Sequence, residues 1–383
     1  MVLTSSTGGG HNMRARSLAQ WTAKERPGWK IDVHSALEST HGLYRFGVEL
    51  YNTIQRTWPQ LHHLYFNYLE VAAMFKDGKR ILGRGRYVEV LENFRPDVIV
   101  SVHGSTNHGF FEIARHVLGR DKVKCVTYCA EMWGGYGMSR HWVSPDADLF
   151  IGSMPETVDA AIDLGMPRAK AMAGGFLLHP SFYSEIEYRE TEDFWRGTLQ
   201  LDPDKFTVIL STGANSANNH ERFLRVLHRV ERPLQVVALC GSNDATRWRV
   251  EELAPILERQ GIVVRALPTT DKMALLMRSA SAIVARPGSG TTNEAIQSGC
   301  PILFNRLGGI MPQEMITERF CDEHRISLSI RKPGDLPPIL RDWIDHPEHR
   351  EGFLRRMEAV RPRVRPVNLL ETLERLHREG VPE

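Results

Sequence analysis

Ala282-Ile-Val-Ala-Arg-Pro-Gly-Ser-Gly-Thr-Thr-Asn-Glu294 carries the reading of the fold. Ala282 to Ala285 is a short apolar run closed by Arg286-Pro-Gly288, as expected of a strand buried on both faces. The polar stretch after it opens a helix, and Thr291-Thr-Asn-Glu294 has the spacing of a capping box. A strand, a glycine turn and a helix N-terminus in that order make an anion site. The N–H groups of Gly288 to Thr292, Gly290 included, can ligate a diphosphate together with the hydroxyls of Ser289, Thr291 and Thr292. Glu294, one turn in, is placed to accept hydrogen bonds from ribose hydroxyls. It is also the capping partner of Thr291, and one rotamer cannot fill both roles.

The same alternation extends along the chain. Apolar runs occur at Asp97–Val102, Lys124–Tyr128, Leu149–Gly152, Phe206–Leu210, Gln235–Leu239, Ile262–Arg265 and Pro301–Phe304. Helical stretches separate them, so parallel β-α-β units follow and the class is α/β. Ser153-Met-Pro-Glu156 reads as a second capping box, and Asp271 as the opener of a helix Lys272 to Ser279. A Gly-, Pro- and polar-rich segment from about Gly175 to Asp204 reads as a linker with a short helix in it. The expected division is 1–180, 204–365 and a final amphipathic helix, 366–383, with Leu369, Leu370, Leu373 and Leu376 on one side. Two α/β domains facing a cleft suit a ligand that both must grip.

The chain has 383 residues, 42% of them hydrophobic and 25% charged, with a formal net charge of +2. That length suits two or three domains. The charge gives no reason to expect a nucleic-acid partner. Five scattered cysteines, Cys125, Cys129, Cys240, Cys300 and Cys321, argue against a disulfide framework and for buried reduced thiols in a cytosolic protein. No apolar run approaches the ~18 residues of a spanning helix, and Met1-Val-Leu-Thr4 is too short for a secretory signal, so membrane contact is expected to be peripheral.

Three further motifs bear on chemistry. Thr4-Ser-Ser-Thr-Gly-Gly-Gly-His11 follows an abbreviated first strand. Its glycines, Gly9 and Gly10 among them, let the backbone approach a ligand with positive φ. The helix from about Asn12 points its N-terminus at the same space. His11 at the junction can act as a general base for an acceptor hydroxyl; a structural turn with a capping histidine is the alternative. Leu307-Gly-Gly-Ile-Met-Pro-Gln-Glu314 ends in an amide and a carboxylate, Gln313 and Glu314, that can bind vicinal sugar hydroxyls, or is a loop that starts a helix. Ser211-Thr-Gly-Ala-Asn-Ser-Ala-Asn218, with Gly213, suits a phosphate or sugar contact, or is an ordinary βα loop. Walker, H-E-x-x-H, nucleophile-elbow and dinucleotide fingerprints are missing.

Thr7-Gly-Gly-Gly-His11, Arg95-Pro-Asp-Val-Ile-Val100, Gly288-Ser-Gly-Thr-Thr-Asn-Glu294 and Pro312-Gln-Glu314 together resemble the monogalactosyldiacylglycerol synthase and processive diacylglycerol glucosyltransferase group. These are inverting enzymes of GT-B fold related to the peptidoglycan N-acetylglucosaminyltransferase. The resemblance implies two Rossmann-like domains, with acceptor in the first and UDP-sugar in the second. It places the uracil base near Leu267, the ribose on Glu294, the diphosphate on the turn Gly288 to Thr292, and the sugar on Gln313 and Glu314. It makes His11 the catalytic base and implies no cofactor and no metal, because a helix N-terminus stabilises the leaving diphosphate. It implies a diacylglycerol-type acceptor at an anionic surface, and a cytoplasmic protein peripheral on the inner face of the cytoplasmic membrane.

Departures from the family pattern fall on the acceptor side. The strand continues Thr127-Tyr-Cys-Ala-Glu131, so the family's aspartate is absent and Glu131 is the candidate substitute. Met132-Trp-Gly-Gly-Tyr-Gly-Met138 is unusual in its glycines and aromatics. The first strand is several residues shorter than the family's, which points to a truncated start. Tyr44, Phe46, Tyr51, Trp58, Tyr65, Phe66, Tyr68 and Phe75, followed by Lys76, Lys79, Arg80, Arg84 and Arg86, suit a monotopic dock, or a core helix pair followed by a basic loop. A soluble or polyprenyl acceptor, a UDP-sugar epimerase or hydrolase, and a non-catalytic donor-binding protein are the alternative functions.

Overall fold

A computed structural model describes residues 1–7, 9–57, 61–64, 66–67, 70, 81–211 and 219–380. Two six-stranded sheets organise them, and every strand pairing is parallel. The first holds β1 (Val2–Thr4), β2 (Val33–Ser35), β3 (Val98–Ser101), β4 (Lys124–Cys129), β5 (Leu149–Gly152) and β6 (Ala171–Ala173), in the order β2-β1-β3-β4-β5-β6. The second holds β7 (Thr207–Ser211), β8 (Leu234–Gly241), β9 (Ile262–Pro268), β10 (Ala282–Ala285), β11 (Ile302–Asn305) and β12 (Ser327–Ile330), in the order β12-β11-β10-β7-β8-β9.

The strands legible as apolar runs are mainly the ones covered on both faces. β5, β10 and β11 are buried at every position, because helices from the β-α-β crossovers cover the sheet. Around them, Phe110, Phe111 and Ile99 belong to the core of the first sheet, and Phe223, Leu227 and Val236 to that of the second. All five cysteines are buried and free.

The residues divide into two compact units: Met1–Pro180 with Met311–Ile316 and Pro362–Glu383, and Ser181–Ile310 with Thr317–Arg361. Several boundaries differ from the expected 204–365 domain and its preceding linker. Residues 181–203 belong to the second unit. The Arg278 guanidinium donates to the carbonyls of Ser184 at 2.7 Å and Phe182 at 2.8 Å, and Trp195 is fully buried in a π-helical turn, Asp193–Thr198. Residues 311–316 belong to the first unit, where the Gln313 amide donates to the Tyr51 hydroxyl at 2.7 Å. Residues 362–365 join the first unit too, because the Val364 carbonyl closes on Gly175. The last helix, Pro366–Glu379, buries Leu369, Leu370, Leu373 and Leu376, and the Arg26 Nε donates to Glu374 at 3.2 Å.

Three helix starts differ from their expected form. Ser153 does not cap the helix Pro155–Asp163: Met154 is at the N-cap, and the Ser153 hydroxyl donates to the Glu131 carbonyl at 2.9 Å. Asp271 is not a cap either: the Thr270 hydroxyl accepts the Lys272 N–H at 3.0 Å, before the helix Met273–Ser279. Thr291 lies inside its helix, which begins at Ser289. A short hydroxyl can satisfy a nearby buried carbonyl as readily as an N-terminal amide, and local spacing does not reveal which it meets.

At Gly175, φ is +72° and an added Cβ would lie 2.4 Å from the Val364 carbonyl oxygen. Gly175→Ala should lower unfolding stability by about 1–3 kcal/mol through backbone strain and that clash. An unchanged urea midpoint would contradict this.

Candidate active site

In the first sheet β1 lies between β2 and β3, so the chain order reverses between β1 and β3. Ligands of open parallel sheets bind beyond the carboxyl ends of the strands at such a reversal. The turn after β1 leads to Gly9, Gly10 and His11, and the segment after β3 is Val102-His103-Gly104-Ser105-Thr106. The helix is Gly10–Glu25, starting two residues earlier than expected, so His11 is in its first turn. Gly9 is the N-cap at φ 80° and ψ −26°, a left-handed conformation that a side chain would strain, and no side chain caps the helix. Gly8 lies outside the described residues.

Two histidines from the two flanking segments meet here. Nδ1 of His11 is 2.8 Å from the Val102 carbonyl oxygen. A carbonyl only accepts, so Nδ1 carries the proton and Nε2 keeps its lone pair. His103 has the opposite tautomer. Its Nδ1 accepts the Ser105 N–H at 3.1 Å, so its Nε2–H donates to the Thr7 hydroxyl at 2.7 Å. The ring centroids are 4.3 Å apart in an edge-on arrangement. Burial lowers the pKa of His11 well below its usual range, with smaller contributions from His103 and Arg14. Burial, aided by His141, brings His103 down to about 4. Both rings are therefore neutral near pH 7, and His11 has the protonation state of a general base.

His11 lines a cavity of about 260 Å³ with His103, Trp142, Val48, Tyr51, Glu131 and Gln313. Glu131 follows β4, and its backbone carbonyl is held by Ser153 and Thr157 hydroxyls. Burial raises its carboxyl to about 7 against the opposing charge of Arg14. Gln313 and Glu314 are in the first turn of the helix Pro312–Glu323. Glu314 turns one carboxylate oxygen back to the Met311 N–H at 2.8 Å, closing the helix start, and is buried.

The second sheet runs β9-β8-β7-β10-β11-β12, reversing between β7 and β10. The loop after β7, residues 212–218 with Gly213, lies outside the described residues. After β10, Gly288 is the N-cap of the helix Ser289–Ser298, in extended conformation and with no side-chain cap. The first helical bond runs from Thr292 N to the Gly288 carbonyl at 3.1 Å, which leaves the Gly290 and Thr291 amides outside the helix's own ladder. Ser289, Gly290 and Thr291 are half-buried, whereas Thr292 is fully buried. The Thr292 hydroxyl is thus beneath the turn and not among its accessible groups, unlike the expectation. Glu294 is buried in the second turn and is no capping partner of Thr291. Leu267 is near the end of β9, an edge strand that β8 separates from β7.

Residues 208–305 match the glycosyltransferase family 28 C-terminal domain. That span runs from within β7 to the end of β11 and includes the turn at Gly288. A probable chloroplastic monogalactosyldiacylglycerol synthase 2 of Oryza sativa subsp. japonica is 25% identical over 334 residues, which are 80% of this chain and 65% of that protein. The chain therefore spans less than two thirds of that relative's length. A processive diacylglycerol beta-glucosyltransferase of Bacillus licheniformis is 20% identical over 345 residues, 88% of this chain and 84% of that one. Among solved structures, MurG of Acinetobacter baumannii superimposes with a TM-score of 0.59 at 14% identity, over 98% of each chain. The fold is GT-B.

His103 was not among the residues expected from sequence. Its signal is positional: Val102-His103 directly follows the strand that flanks the reversal.

Glu131 yields a stability prediction. Its folded pKa is raised, so its contribution to stability is full below pH 4.5 and is lost as pH rises through about 7. The shift is equivalent to roughly 3 kcal/mol. Glu131→Gln should therefore raise the melting temperature relative to wild type at pH 8 and not at pH 4.5. An equal difference at both pH values would refute the buried ionisation.

Proposed function

We propose that the protein is an inverting glycosyltransferase that moves a hexose, galactose or glucose, from a UDP-sugar to a diacylglycerol-type hydroxyl. The observation that carries the reading is His11: a neutral imidazole with Nδ1–H bound to Val102, lining a cavity whose walls include Val48, Tyr51 and Trp142. The family 28 match and the names of the relatives support the donor and the lipid acceptor.

In the proposed step the acceptor oxygen attacks the anomeric carbon and gives its proton to His11 Nε2. The bond from that carbon to the UDP oxygen breaks, and attack from the opposite face turns an α-linked donor into a β-glycoside. The amide-lined turn at Gly290 and Thr291 takes the diphosphate and stabilises its charge. In this reading Glu294 binds the ribose, Leu267 borders the base, and Gln313 with Glu314 addresses the sugar. No bound metal is required, so transfer should persist in EDTA.

His11→Ala should lower lipid-dependent UDP release by about 10²–10⁴-fold, the usual worth of a general base, while UDP binding survives. In wild type the rate should fall on acidification only below pH 6.5, because burial lowers the His11 pKa. A rate unchanged in His11→Ala would remove the base from its role. UDP release without any lipid would point to an epimerase, a hydrolase or another acceptor.

Among the described residues, no helix is long and apolar enough to cross a membrane. We propose peripheral docking on the inner face of the cytoplasmic membrane through the helix Gly42–Thr57. Leu43 and Phe46 are each 59% exposed and Leu50 is 40% exposed, and their spacing puts them on one helical face. Arg84 and Arg86, also exposed, supply positive charge. Trp58, Tyr65, Tyr68, Phe75, Lys76, Lys79 and Arg80 lie outside the described residues. The double substitution Leu43→Asp with Phe46→Asp should reduce flotation with anionic vesicles by about tenfold or more. Undiminished flotation would remove this face from the dock.

A further inference from the structure

His103 takes no proton in the proposed reaction, yet its ring packs edge-on against His11 with centroids 4.3 Å apart. Both of its ring nitrogens are used, Nδ1 by the Ser105 amide and Nε2 by the Thr7 hydroxyl. Protonating it would place a new N–H against the Ser105 N–H, so the hydrogen bonds themselves resist a charge. Its carbonyl accepts from the Ser101 hydroxyl at 2.9 Å and the Thr106 hydroxyl at 2.8 Å, which hold the backbone on which the ring stands. Thr7, at the other end of its ring, belongs to the glycine turn that leads into His11. One neutral side chain therefore joins the turn after β1 to the segment after β3 and closes one side of the His11 ring.

We infer that His103 is a positioning residue for His11: it anchors the glycine turn through Thr7, holds the His11 imidazole against the Val102 carbonyl, and excludes both water and positive charge from that side of the ring. Among the described residues, the other ionisable groups that act on the pair or line its cavity are Arg14 on the helix Gly10–Glu25, His141 on the turn Arg140–Trp142, Glu131 after β4, Glu70, His62, Tyr44 and Tyr51. Arg14 and His141 are fixed cationic or potentially cationic neighbours, so a charged His103 would add to a field that already disfavours the imidazolium of His11.

The kinetic consequence rests on the transfer reading; the titration does not. The test uses the full chain with ¹⁵N-labelled histidine, His11 being identified by loss of its signal in His11→Ala. Wild type should show His11 titrating below pH 6.5. In His103→Ala its midpoint should rise by about half a pH unit or more, as water and solvation return, and the acidic limb of the pH–rate profile should move with it. The kcat of His103→Ala should fall about tenfold, with the KM for UDP-sugar within about twofold because the donor turn is untouched. His103→Gln, whose amide can still donate to Thr7, should recover most of the lost kcat. A His11 midpoint that does not move in His103→Ala overturns the inference, as does a glutamine variant no better than alanine. Should His103→Ala not fold, His103→Leu takes its place in both measurements with the same criteria. If wild type transfers no sugar, the function proposed above fails while the titration still decides the role of His103.

Discussion

The hydrogen bond from His11 Nδ1 to the Val102 carbonyl is the contact on which the proposed chemistry of the first unit depends. It fixes the tautomer, so the Nε2 lone pair is available for a proton. It also crosses the chain reversal, joining the helix after β1 to the segment after β3. The imidazole is half-buried, and its removal from water makes a cation there costly. The neutral state is therefore maintained by the same packing that places the ring. Orientation and protonation have one cause.

The two units use a common device at their strand reversals. In each, a glycine is the N-cap of the helix, Gly9 in the first and Gly288 in the second, and neither helix start has a side-chain cap. At Gly288, whose backbone is extended, serine, threonine or aspartate could hydrogen-bond the first-turn amides and so stabilise the helix by about 1 kcal/mol, whereas at Gly9 the left-handed backbone would strain any of them. Glycine leaves the first-turn amides of both helices without a side-chain cap. The contrast with the start of Pro312–Glu323 is direct, since there Glu314 turns back to the Met311 N–H and closes its own helix.

Buried polar groups near His11 carry a cost of their own. Glu131 is enclosed beside Arg14 with its carboxyl raised to about 7, and His103 is enclosed with its ring brought down to about 4. A hydrocarbon of similar size at either place would pack without that cost. Both line the cavity that His11 lines, so the cost is concentrated where a ligand can use it.

The sequence by itself determined the α/β class, the central strands and the two glycine turns. Runs such as Ala282–Ala285 and Leu149–Gly152 must be apolar along their whole length because helices cover both faces of a parallel sheet. The strands it did not reveal are β2, β6 and β12, all at sheet edges and only partly buried, so nothing requires them to be continuous apolar runs. Capping boxes were visible as spacing, but Ser153 hydrogen-bonds the carbonyl of Glu131, which is distant in sequence. Unit boundaries were only partly legible, because Gln313 and Val364 take partners more than one hundred and eighty residues away. His11 could be found from its glycines. His103 could not be assigned a partner until β1 and β3 paired, since its meeting with His11 depends on strand order and not on local sequence. Tertiary structure alone decided the tautomers, for a ring nitrogen's proton follows the acceptor or donor that the fold brings to it.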